Sequence, residues 1–392
     1  MNAQTGSNII TNKVKRNIFI LISMLLGIMF SLCIVEISLH LLWKSPWLPV
    51  PIGFLRNDPD TYIMHTSNFR GVLNTPYYRV PFCTNSHGLR DLERTYAKPE
   101  GTFRILALGD SYVEGQGVEF EKIFLRQAEL QLNKKHERPA VQIIKAGVGG
   151  WGPVNELNYL KHEGYKYSPD VVMVNFFVGN DYIDAASPGQ FVVYRGLRIE
   201  KDLLKSMNTM TDIRISLRKH VFLYGLIVDM VKSFSMNNSQ RYSEDYSMLT
   251  FFRDANHPQI VATQNAVNEF YRWSRERNIP LHFVILPHRT QVDVKRAEKV
   301  AEMFNLKWND IDLDRPSHWI ISMLKAKGIP YFDATTLLRQ KANEGRTIGL
   351  GGDSHYNSEI HGVLGIALSE YINDSILKMP TKRKWREGER FP

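Results

Sequence analysis

Four short segments of the sequence carry polar residues that could act together in acyl transfer. Ser111 follows an apolar run in "ILALGDSYVEGQG", Gly150 lies in the glycine-rich stretch "AGVGGWGP", and Asn180 lies in "VGND". Nearer the C-terminal end, Asp353 and His355 occur in "GGDSHYN". A serine beside a histidine that a carboxylate orients can attack a carbonyl carbon, and N–H groups can stabilise the resulting oxyanion. These residue types therefore predict a nucleophile, a base with its orienting acid, and an oxyanion hole.

The elements that would position these residues alternate along the chain from about residue 103. Short, continuously apolar runs predict strands buried on both faces, at 104–110, 141–148, 170–179, 281–287 and 329–334. Helical patterns lie at 119–135, 153–164, 258–278, 292–304, 315–327 and 358–374. This alternation predicts an α/β fold, a doubly wound parallel sheet of about five strands with helices on both faces. Because the carboxyl ends of parallel strands meet at one edge, we expect the four polar segments to converge there.

This ordered set resembles the SGNH hydrolase superfamily, the GDSL-type esterases and lipases, which have a flavodoxin-like sandwich. The resemblance covers about residues 83–375. It implies that Ser111 is the nucleophile, His355 the base and Asp353 the orienting acid. It also implies an oxyanion hole made by the N–H groups of Ser111 and Gly150 and by the amide of Asn180. The stretch "NSHGLRDLERTYAKPEGTFRILALGDS" is similar to membrane-anchored members of this group.

Two positions depart from the usual pattern of that superfamily. The third block normally reads Gly-x-Asn-Asp, but Val178 stands where its glycine would be. In the last block the acid normally precedes the histidine by three residues, and Gly352 occupies that position here. Asp353, two residues before His355, is the acid that remains, as in members with the shorter spacing. The assignment of Asp353 therefore depends on a local geometry that the sequence does not specify.

An uncharged apolar segment near the N-terminus predicts a membrane anchor. Residues 17–35 would cover about 28 Å as a helix, close to the ~30 Å hydrocarbon core of a bilayer. Lys13, Lys15 and Arg16 precede it, which by the positive-inside rule places the N-terminus in the cytoplasm and the rest outside. We expect a single-pass membrane protein whose catalytic domain faces the periplasm or cell exterior. A cleaved signal peptide and a buried core helix are the alternatives.

The chain divides into segments of different character. We predict a cytoplasmic N-terminus at 1–16, a transmembrane helix at 17–43, an irregular connecting region at 44–100, a hydrolase-like domain at 101–376 and a basic tail at 377–392. The domain contains an insertion, 182–256, after the third strand. Within it, "FVVYRGLRIE" predicts a small hairpin and "DIRISLRKHVFLYGLIVDMVKSF" an amphipathic helix. We expect the insertion to shape access to the site, with a packing decoration as the alternative.

Composition excludes several functional classes. The 392 residues are 43% hydrophobic and 23% charged, as in ordinary folded proteins. Part of the net charge of +9 lies at the two ends of the chain, and no basic motif interleaved with aromatic residues suggests nucleic-acid binding. The two cysteines, Cys33 and Cys83, provide neither a disulfide framework nor a zinc motif. No cofactor and no metal are expected.

The predicted function is that of a membrane-anchored serine ester hydrolase that works through an acyl-enzyme. The resemblance and the predicted location favour O-acyl esters, O-acetyl above all, of glycans or other cell-envelope molecules as substrates. One alternative is an O-acyltransferase, in which a sugar hydroxyl replaces water and a membrane protein supplies the acyl group. The other is a catalytically silent glycan-binding or scaffolding protein. The sequence does not separate the first two, because water exclusion depends on the shape of the insertion.

Overall fold

The structure is a computed structural model that describes residues 3–42, 51–75, 77–134, 140–235 and 242–378. The chain divides into two compact units, which are described separately. The first contains the N-terminal helix and residues from 207 to 235, and the second contains the other described residues. The last residue of the predicted transmembrane helix, the first residues of the connecting region to 50, and the basic tail from 379 lie outside the described residues.

The second unit contains all the strands among the described residues. They are β1 (Leu55–Asp58), β2 (Tyr62–His65), β3 (Arg70–Asn74), β4 (Arg79–Cys83), β5 (Thr102–Gly109), β6 (Ala140–Gly147), β7 (Val171–Phe177), β8 (Phe191–Tyr194), β9 (Leu197–Glu200), β10 (Leu281–Leu286), β11 (Tyr331–Asp333), β12 (Gly349–Leu350) and β13 (Asp353–Tyr356).

Five of these strands form the central sheet, in the order β11-β10-β7-β5-β6. All the pairings in this sheet are parallel. Every residue of β7 and β10 is buried, because helices cover both faces of the sheet. Residues of β5 alternate between the two faces: Leu106 and Leu108 belong to one buried apolar cluster, Ile105 and Ala107 to the other. This is the doubly wound parallel sheet that the apolar runs predicted.

Helices lie between most of the strands of the central sheet, and further helices lie in the insertion and at the N-terminus. They are α1 (Ala3–Leu42), α2 (Ser111–Glu114), α3 (Phe124–Leu132), α4 (Pro153–His162), α5 (Asp181–Ala186), α6 (Lys201–Leu204), α7 (Thr209–His220), α8 (Phe222–Ser235), α9 (Ser243–Leu249), α10 (Pro258–Arg277), α11 (Arg289–Val292), α12 (Val294–Met303), α13 (Arg315–Ala326), α14 (Thr335–Asn343) and α15 (Ser358–Ile372).

Two expectations about the chain differ from the structure. The described part of the connecting region 44–100, expected to be irregular, contains two antiparallel hairpins, β1–β2 and β3–β4. Their strands are only four or five residues long, too short to give a clear periodicity. The amphipathic helix expected over 212–234 is two helices, because the chain leaves the helical region at Val221, where φ is −121° and ψ is 101°.

The first unit consists of α1, α7 and α8. Within α1, residues 15–42 are the one stretch of the described residues that is long and apolar enough to cross a membrane. Its apolar side chains are exposed, unlike those of a buried core helix. The unit therefore has a long apolar helix, consistent with a membrane anchor or a signal sequence.

The insertion 182–256 is divided between the two units. Its first part, with the predicted hairpin now seen as β8–β9, belongs to the unit with the central sheet. The residues of α7 and α8 belong to the unit with α1. One insertion thus contains two parts that belong to different units.

Candidate active site

Ser111, His355 and Asp353 form a continuous hydrogen-bonded chain. His355 Nε2 lies 2.7 Å from Ser111 Oγ, and His355 Nδ1 lies 2.5 Å from Asp353 Oδ1. The same carboxylate oxygen accepts the backbone N–H of His355 at 2.9 Å. Because an ionised carboxylate can only accept, it favours a proton on Nδ1 and leaves Nε2 of the neutral ring without one. Nε2 can therefore accept the proton of the serine hydroxyl.

The sheet places the serine where parallel α/β folds usually carry their sites. Ser111 begins α2 directly after β5, and β5 lies between β6 and β7, where the strand order reverses. Asp110 caps this turn, since its Oδ1 accepts the N–H of Tyr112 at 2.8 Å. Because α2 is a single turn, its contribution at Ser111 is an N–H group without an intrahelical partner, not a long helix dipole.

The segment that carries the base is fixed by contacts from two other parts of the sheet edge. The hydroxyl of Tyr112, next to the serine, donates to the carbonyl oxygen of Ser354 at 3.1 Å. Arg289 donates to the carbonyl oxygen of Asp353 at 3.2 Å. The nucleophile turn and β13 are therefore held together by side-chain contacts to the backbone as well as by the Ser111–His355 contact.

Gly352, at the position where the usual spacing would place the acid, packs against the exposed ring of Tyr77. A Cβ there would lie 2.3 Å from the hydroxyl oxygen of Tyr77 and 2.4 Å from its Cζ, far inside contact distance. An aspartate at 352 would therefore require Tyr77 to move. Asp353 provides the carboxylate instead, on the strand that also carries His355. The departure from the family spacing thus leaves the base with an acid partner.

Burial and ion pairing act in opposite directions on this pair. Burial disfavours the imidazolium form of His355, but the hydrogen bond and charge of Asp353 outweigh it and raise the pKa of His355. Burial alone would raise the pKa of Asp353, but its contacts with His355 lower that pKa below the usual value. Asp353 is therefore an ionised carboxylate at neutral pH, able to stabilise the imidazolium that forms when His355 takes a proton.

The glycine-rich loop lies against the nucleophile turn. A Cβ at Gly149 would be 3.6 Å from the Cβ of Ser111, and the Gly149 N–H donates to Glu114 Oε2 at 2.5 Å. Gly150 has a φ of +92°, a conformation that favours glycine. Within the described residues, neither the Ser111 N–H nor the Gly150 N–H donates to another protein group. Both remain available as donors.

Asn180 lies just beyond the carboxyl end of β7, as the first flanking residue of α5. Its Nδ2 donates to Asp184 Oδ2 at 2.7 Å, and its buried Oδ1 has no partner among the described residues. The Asn180 side chain also interacts with Asp110, whose pKa it lowers. Val178 is buried and donates its N–H to the carbonyl oxygen of Leu286, so the replaced glycine position continues the sheet. The turn to Asn180 follows it.

Four buried carboxyl groups lie around the oxyanion side of the site: Asp110, Glu156, Asp181 and Asp184. Burial raises the pKa of Asp110 to about 6 and that of Asp184 to about 7. Burial and the neighbouring carboxyl groups raise the pKa of Glu156 and of Asp181 well above the usual value. Both Glu156 oxygens lack a partner among the described residues, where no acidic or histidine cluster has metal-site geometry. The raised pKa values favour the neutral, protonated form of Glu156 and Asp181, which limits the buried charge on this side of the site.

Sequence reasoning named the residues at the hydrogen-bonded centre but missed those that surround it. Asp184 contacts Asn180, Gln190 contacts Asp184, and Arg198 contacts the glycine-rich loop; none of the three was singled out. Arg198 and Gly149 are 49 residues apart, so no local pattern connects them. Asp181 and Asp184, close to Asn180 in "VGNDYID", carried the one local signal that could have been used.

Comparison with known proteins gives matches in structure but not in sequence. No protein-family profile and no curated protein matches the chain. Similar solved structures include a protein of the G-D-S-L lipolytic family from Desulfitobacterium hafniense, at 12% identity and a TM-score of 0.36, covering 68% of this chain and 98% of the other. The acetyl xylan esterase AlAXEase matches at 12% identity and a TM-score of 0.40, covering 69% and 100%. A lipase/acylhydrolase from Enterococcus faecalis matches at 12% and 0.37, covering 69% and 95%.

Proposed function

We propose that this protein is a membrane-anchored serine ester hydrolase that acts through an acyl-enzyme. The observation that carries the proposal is the hydrogen-bonded chain from Ser111 Oγ through His355 to Asp353, beside two free backbone N–H groups. A nucleophile, its base, the orienting acid and oxyanion donors are the parts that acyl transfer requires. All lie in the second unit, at the carboxyl edge of the central sheet.

In the first half of the reaction, Ser111 Oγ attacks the ester carbonyl carbon as its proton passes to His355 Nε2. The carbonyl oxygen becomes an oxyanion, which the N–H groups of Ser111 and Gly150 and the amide of Asn180 stabilise in this proposal. When the tetrahedral intermediate collapses, the carbon–oxygen bond to the alcohol breaks, and His355 gives the alcohol its proton. The acyl group is then bound to Ser111 and the ring is neutral again.

In the second half, water takes the place of the alcohol. His355 accepts a proton as the water oxygen bonds to the acyl carbon, and the second tetrahedral intermediate expels Ser111 Oγ. The proton returns to the serine and the carboxylic acid leaves. The same oxyanion site serves both halves of the reaction. Removal of one donor should therefore raise the activation barrier of both halves, typically by about 2.7–4 kcal/mol.

The proposed substrates are O-acyl esters, O-acetyl in particular, of glycans or other cell-envelope molecules. The motif resemblance and an extracytoplasmic location support this choice. The location rests on the apolar stretch of α1, which we propose spans the membrane once with its N-terminus in the cytoplasm. A C-terminal phosphatase that needs export should be active, and fluorescence from a cytoplasm-only reporter at that end would contradict the orientation.

The central experiment combines a fluorophosphonate probe with a small ester. The wild-type protein should be labelled and should hydrolyse p-nitrophenyl acetate, and Ser111→Ala should do neither. Adding an acetylated glycan, with and without an unacetylated oligosaccharide acceptor, separates release of acetate from transfer. Acetate release independent of the acceptor supports the hydrolase, whereas acylated acceptor indicates the transferase. Absence of both labelling and turnover by the wild type would overturn the proposal and favour a silent binding protein.

A further inference from the structure

The β8–β9 hairpin contacts the peptide group whose N–H is one proposed oxyanion donor. Arg198 Nη1 donates to the carbonyl oxygen of Gly149 at 2.7 Å. That carbonyl and the Gly150 N–H belong to the same planar peptide unit, so fixing one fixes the direction of the other. A positive charge on the oxygen side also polarises the N–H. Arg198 covers the loop closely, because a Cβ at Gly150 would lie 2.6 Å from its Nη1.

The same hairpin region is linked to the second proposed donor through a carboxyl group. Gln190 Nε2 donates to Asp184 Oδ1 at 2.5 Å, and Asp184 Oδ2 accepts the Asn180 amide at 2.7 Å. Asp184 thereby holds one N–H of Asn180 and determines where the other points. Gln190 in turn holds Asp184. A chain of two hydrogen bonds thus connects the start of the hairpin to the amide.

The hairpin is itself rigidly supported within the second unit. Its two-residue turn, Arg195 and Gly196, has φ values of 50° and 79°, as in the turns that match strand twist. The side chain of Asn57 makes two hydrogen bonds to the backbone of Val193, accepting its N–H at 2.7 Å and donating to its carbonyl oxygen at 2.9 Å. Arg198 also lies over the ring of Phe191, 4.8 Å from its centroid. Contacts within the protein therefore hold Arg198 against the loop.

We propose that Arg198 and Gln190 are positioning residues of the oxyanion hole, so that the first part of the insertion completes the site. This rests on the proposed ester hydrolysis. The two residues act through Gly149 and Asp184 and do not touch the reacting atoms. Their effect should appear in kcat, because donors that are misaligned weaken the transition state more than the ground state.

Arg198→Met tests the first contact, with Arg195→Met as the matched control from the turn of the same hairpin. We expect Arg198→Met to lower kcat roughly tenfold to hundredfold with KM nearly unchanged, on the scale of supporting-residue losses. Arg195→Met should keep wild-type kcat. Millimolar guanidinium should restore part of the kcat of Arg198→Ala. A rise in KM alone would make Arg198 a substrate contact and overturn the proposal, as would wild-type kinetics.

Gln190→Met tests the second contact, and it should act on the same step as Asn180→Ala. We expect a loss of roughly tenfold in kcat for Gln190→Met in wild type. In an Asn180→Ala background the further loss should be close to none, because the amide that Gln190 indirectly positions is gone. Equal losses in both backgrounds would overturn the positioning role. Failure of the wild type to hydrolyse any ester would instead count against the proposed function.

A separate observation concerns the first unit. Glu36, near the end of α1, accepts the N–H groups of Phe222 at 2.6 Å and of Leu223 at 2.8 Å, which begin α8. The ring of His40 stacks on Phe222 with centroids 3.8 Å apart. Counted from Arg16, Glu36 lies about 30 Å along the helix, the thickness of a bilayer core. The start of α8 is therefore attached where the proposed membrane span ends.

Helices α7 and α8, which lie on either side of Val221, expose apolar side chains at helical spacing. On α7 and α8 these are Met210, Ile213, Leu217, Ile227, Met230, Val231 and Phe234. Lys219 and Arg218 lie in the last turn of α7, where Arg218 forms an ion pair with Asp229 of α8. An apolar face with cationic residues nearby is the pattern of helices that lie in a membrane interface. Continuity with α1 makes the bilayer the occupant that fits this face.

We infer that α7 and α8 lie in the outer interface of the same membrane that α1 spans, an inference that rests on the proposed anchor. The full-length chain, with Cys33 and Cys83 replaced by serine, is reconstituted in phosphatidylcholine–phosphatidylglycerol vesicles containing nitroxide-labelled lipids. An environment-sensitive fluorophore is placed at Val231→Cys, at Ile22→Cys in the span and at Lys307→Cys on the other unit. We expect a blue-shifted, lipid-quenched signal at 231 and 22, and a water-like signal at 307.

The outcomes separate the helix-pair inference from the anchor. Quenching at 22 with a water-like signal at 231 would overturn the inference and leave the anchor in place. A signal at 231 that is shielded from water but not quenched by lipid would indicate a protein partner, such as a second copy, and would also overturn it. Water-like signals at both positions would contradict the anchor itself.

Discussion

On one side of Ser111 the base is organised within a segment of three residues, whereas on the other side the oxyanion donors depend on contacts among several segments. Asp353 orients His355 from two positions away, through both the ring and the backbone N–H. Gly150 and Asn180 instead rely on partners such as Arg198 and Asp184. The comparison teaches that local sequence can pair the histidine with its acid, whereas bringing that histidine to Ser111 and supporting the oxyanion donors require the assembled fold.

The base side also differs from the oxyanion side in how it manages charge. Asp353 is paired with a histidine, and its pKa is lowered. Glu156 and Asp181 are buried beside other carboxyl groups, and their pKa values are raised. An acid with a lowered pKa makes the folded state more stable as pH rises, whereas an acid with a raised pKa makes it less stable. The two sides can therefore be distinguished by substitution and by titration.

The largest expected effect is the loss of the nucleophile or the base. Ser111→Ala and His355→Ala should each lower kcat for p-nitrophenyl acetate by roughly 10⁶-fold, because nucleophile and base act as a unit. The double variant should be hardly worse than either single one. Ser354→Ala, within the same strand, is the control and should keep wild-type turnover. A residual rate in Ser111→Ala close to wild type would exclude the serine mechanism.

Removal of the orienting charge should cost less and should also change the pH profile. Asp353→Asn should lower kcat by roughly 10⁴-fold, since the ring loses its preferred tautomer. In the wild type the rate should rise with pH through a pKa above the usual ~6.5 of histidine, because Asp353 raises that of His355. In Asp353→Asn the midpoint should move to lower pH, as measured by kcat/KM from pH 4.5 to 9. An unchanged midpoint would show that His355 is not the titrating group.

The oxyanion side should respond more weakly. Asn180→Ala should lower kcat by roughly 10²–10³-fold with little change in KM, as expected for a donor used mainly in the transition state. Asn180→Asp, which keeps the size but adds a carboxyl group beside Asp184, should be at least as impaired. Steady-state kinetics on a short acyl ester measure both. A loss confined to KM would place Asn180 in substrate binding instead.

The smallest effect concerns stability and its dependence on pH. The raised pKa values mean that the folded protein binds more protons than the unfolded chain between about pH 4 and 7, so these acids lower stability as pH rises. His355, whose pKa is also raised, adds to this trend. Glu156→Gln should therefore raise Tm at pH 8 and change it little near pH 4.5.

Glu302→Gln, at an exposed acid, is the control for that measurement and should change Tm by little at either pH. If Glu156→Gln lowered Tm equally at both values, Glu156 would be a packing residue with no unfavourable charge to remove. Thermal unfolding followed by circular dichroism at the two pH values decides between these outcomes.

The sequence patterns predicted best the strands that are buried on both faces, because such strands are continuously apolar. Strands β5, β7 and β10 are apolar on both faces, and the predicted positions 104–110, 170–179 and 281–287 match them within a few residues. The short hairpins between 55 and 83 were missed, because their burial pattern is mixed. Helix α14 was also missed, since it presents only Thr335 and Leu338 as buried residues.

By itself, the sequence determined the five-stranded core and the identity of Ser111, Asp353 and His355 as a possible set. The core is encoded by apolar runs, and the three side chains by short motifs, in which Asp353 and His355 are two positions apart while Ser111 lies 244 residues before His355. Only the tertiary structure decided that Tyr77 packs against Gly352, that Arg198 contacts the Gly149 peptide, and that the insertion divides between two units. Such contacts join residues far apart along the chain, and no local periodicity records which side chains will meet when the sheet forms.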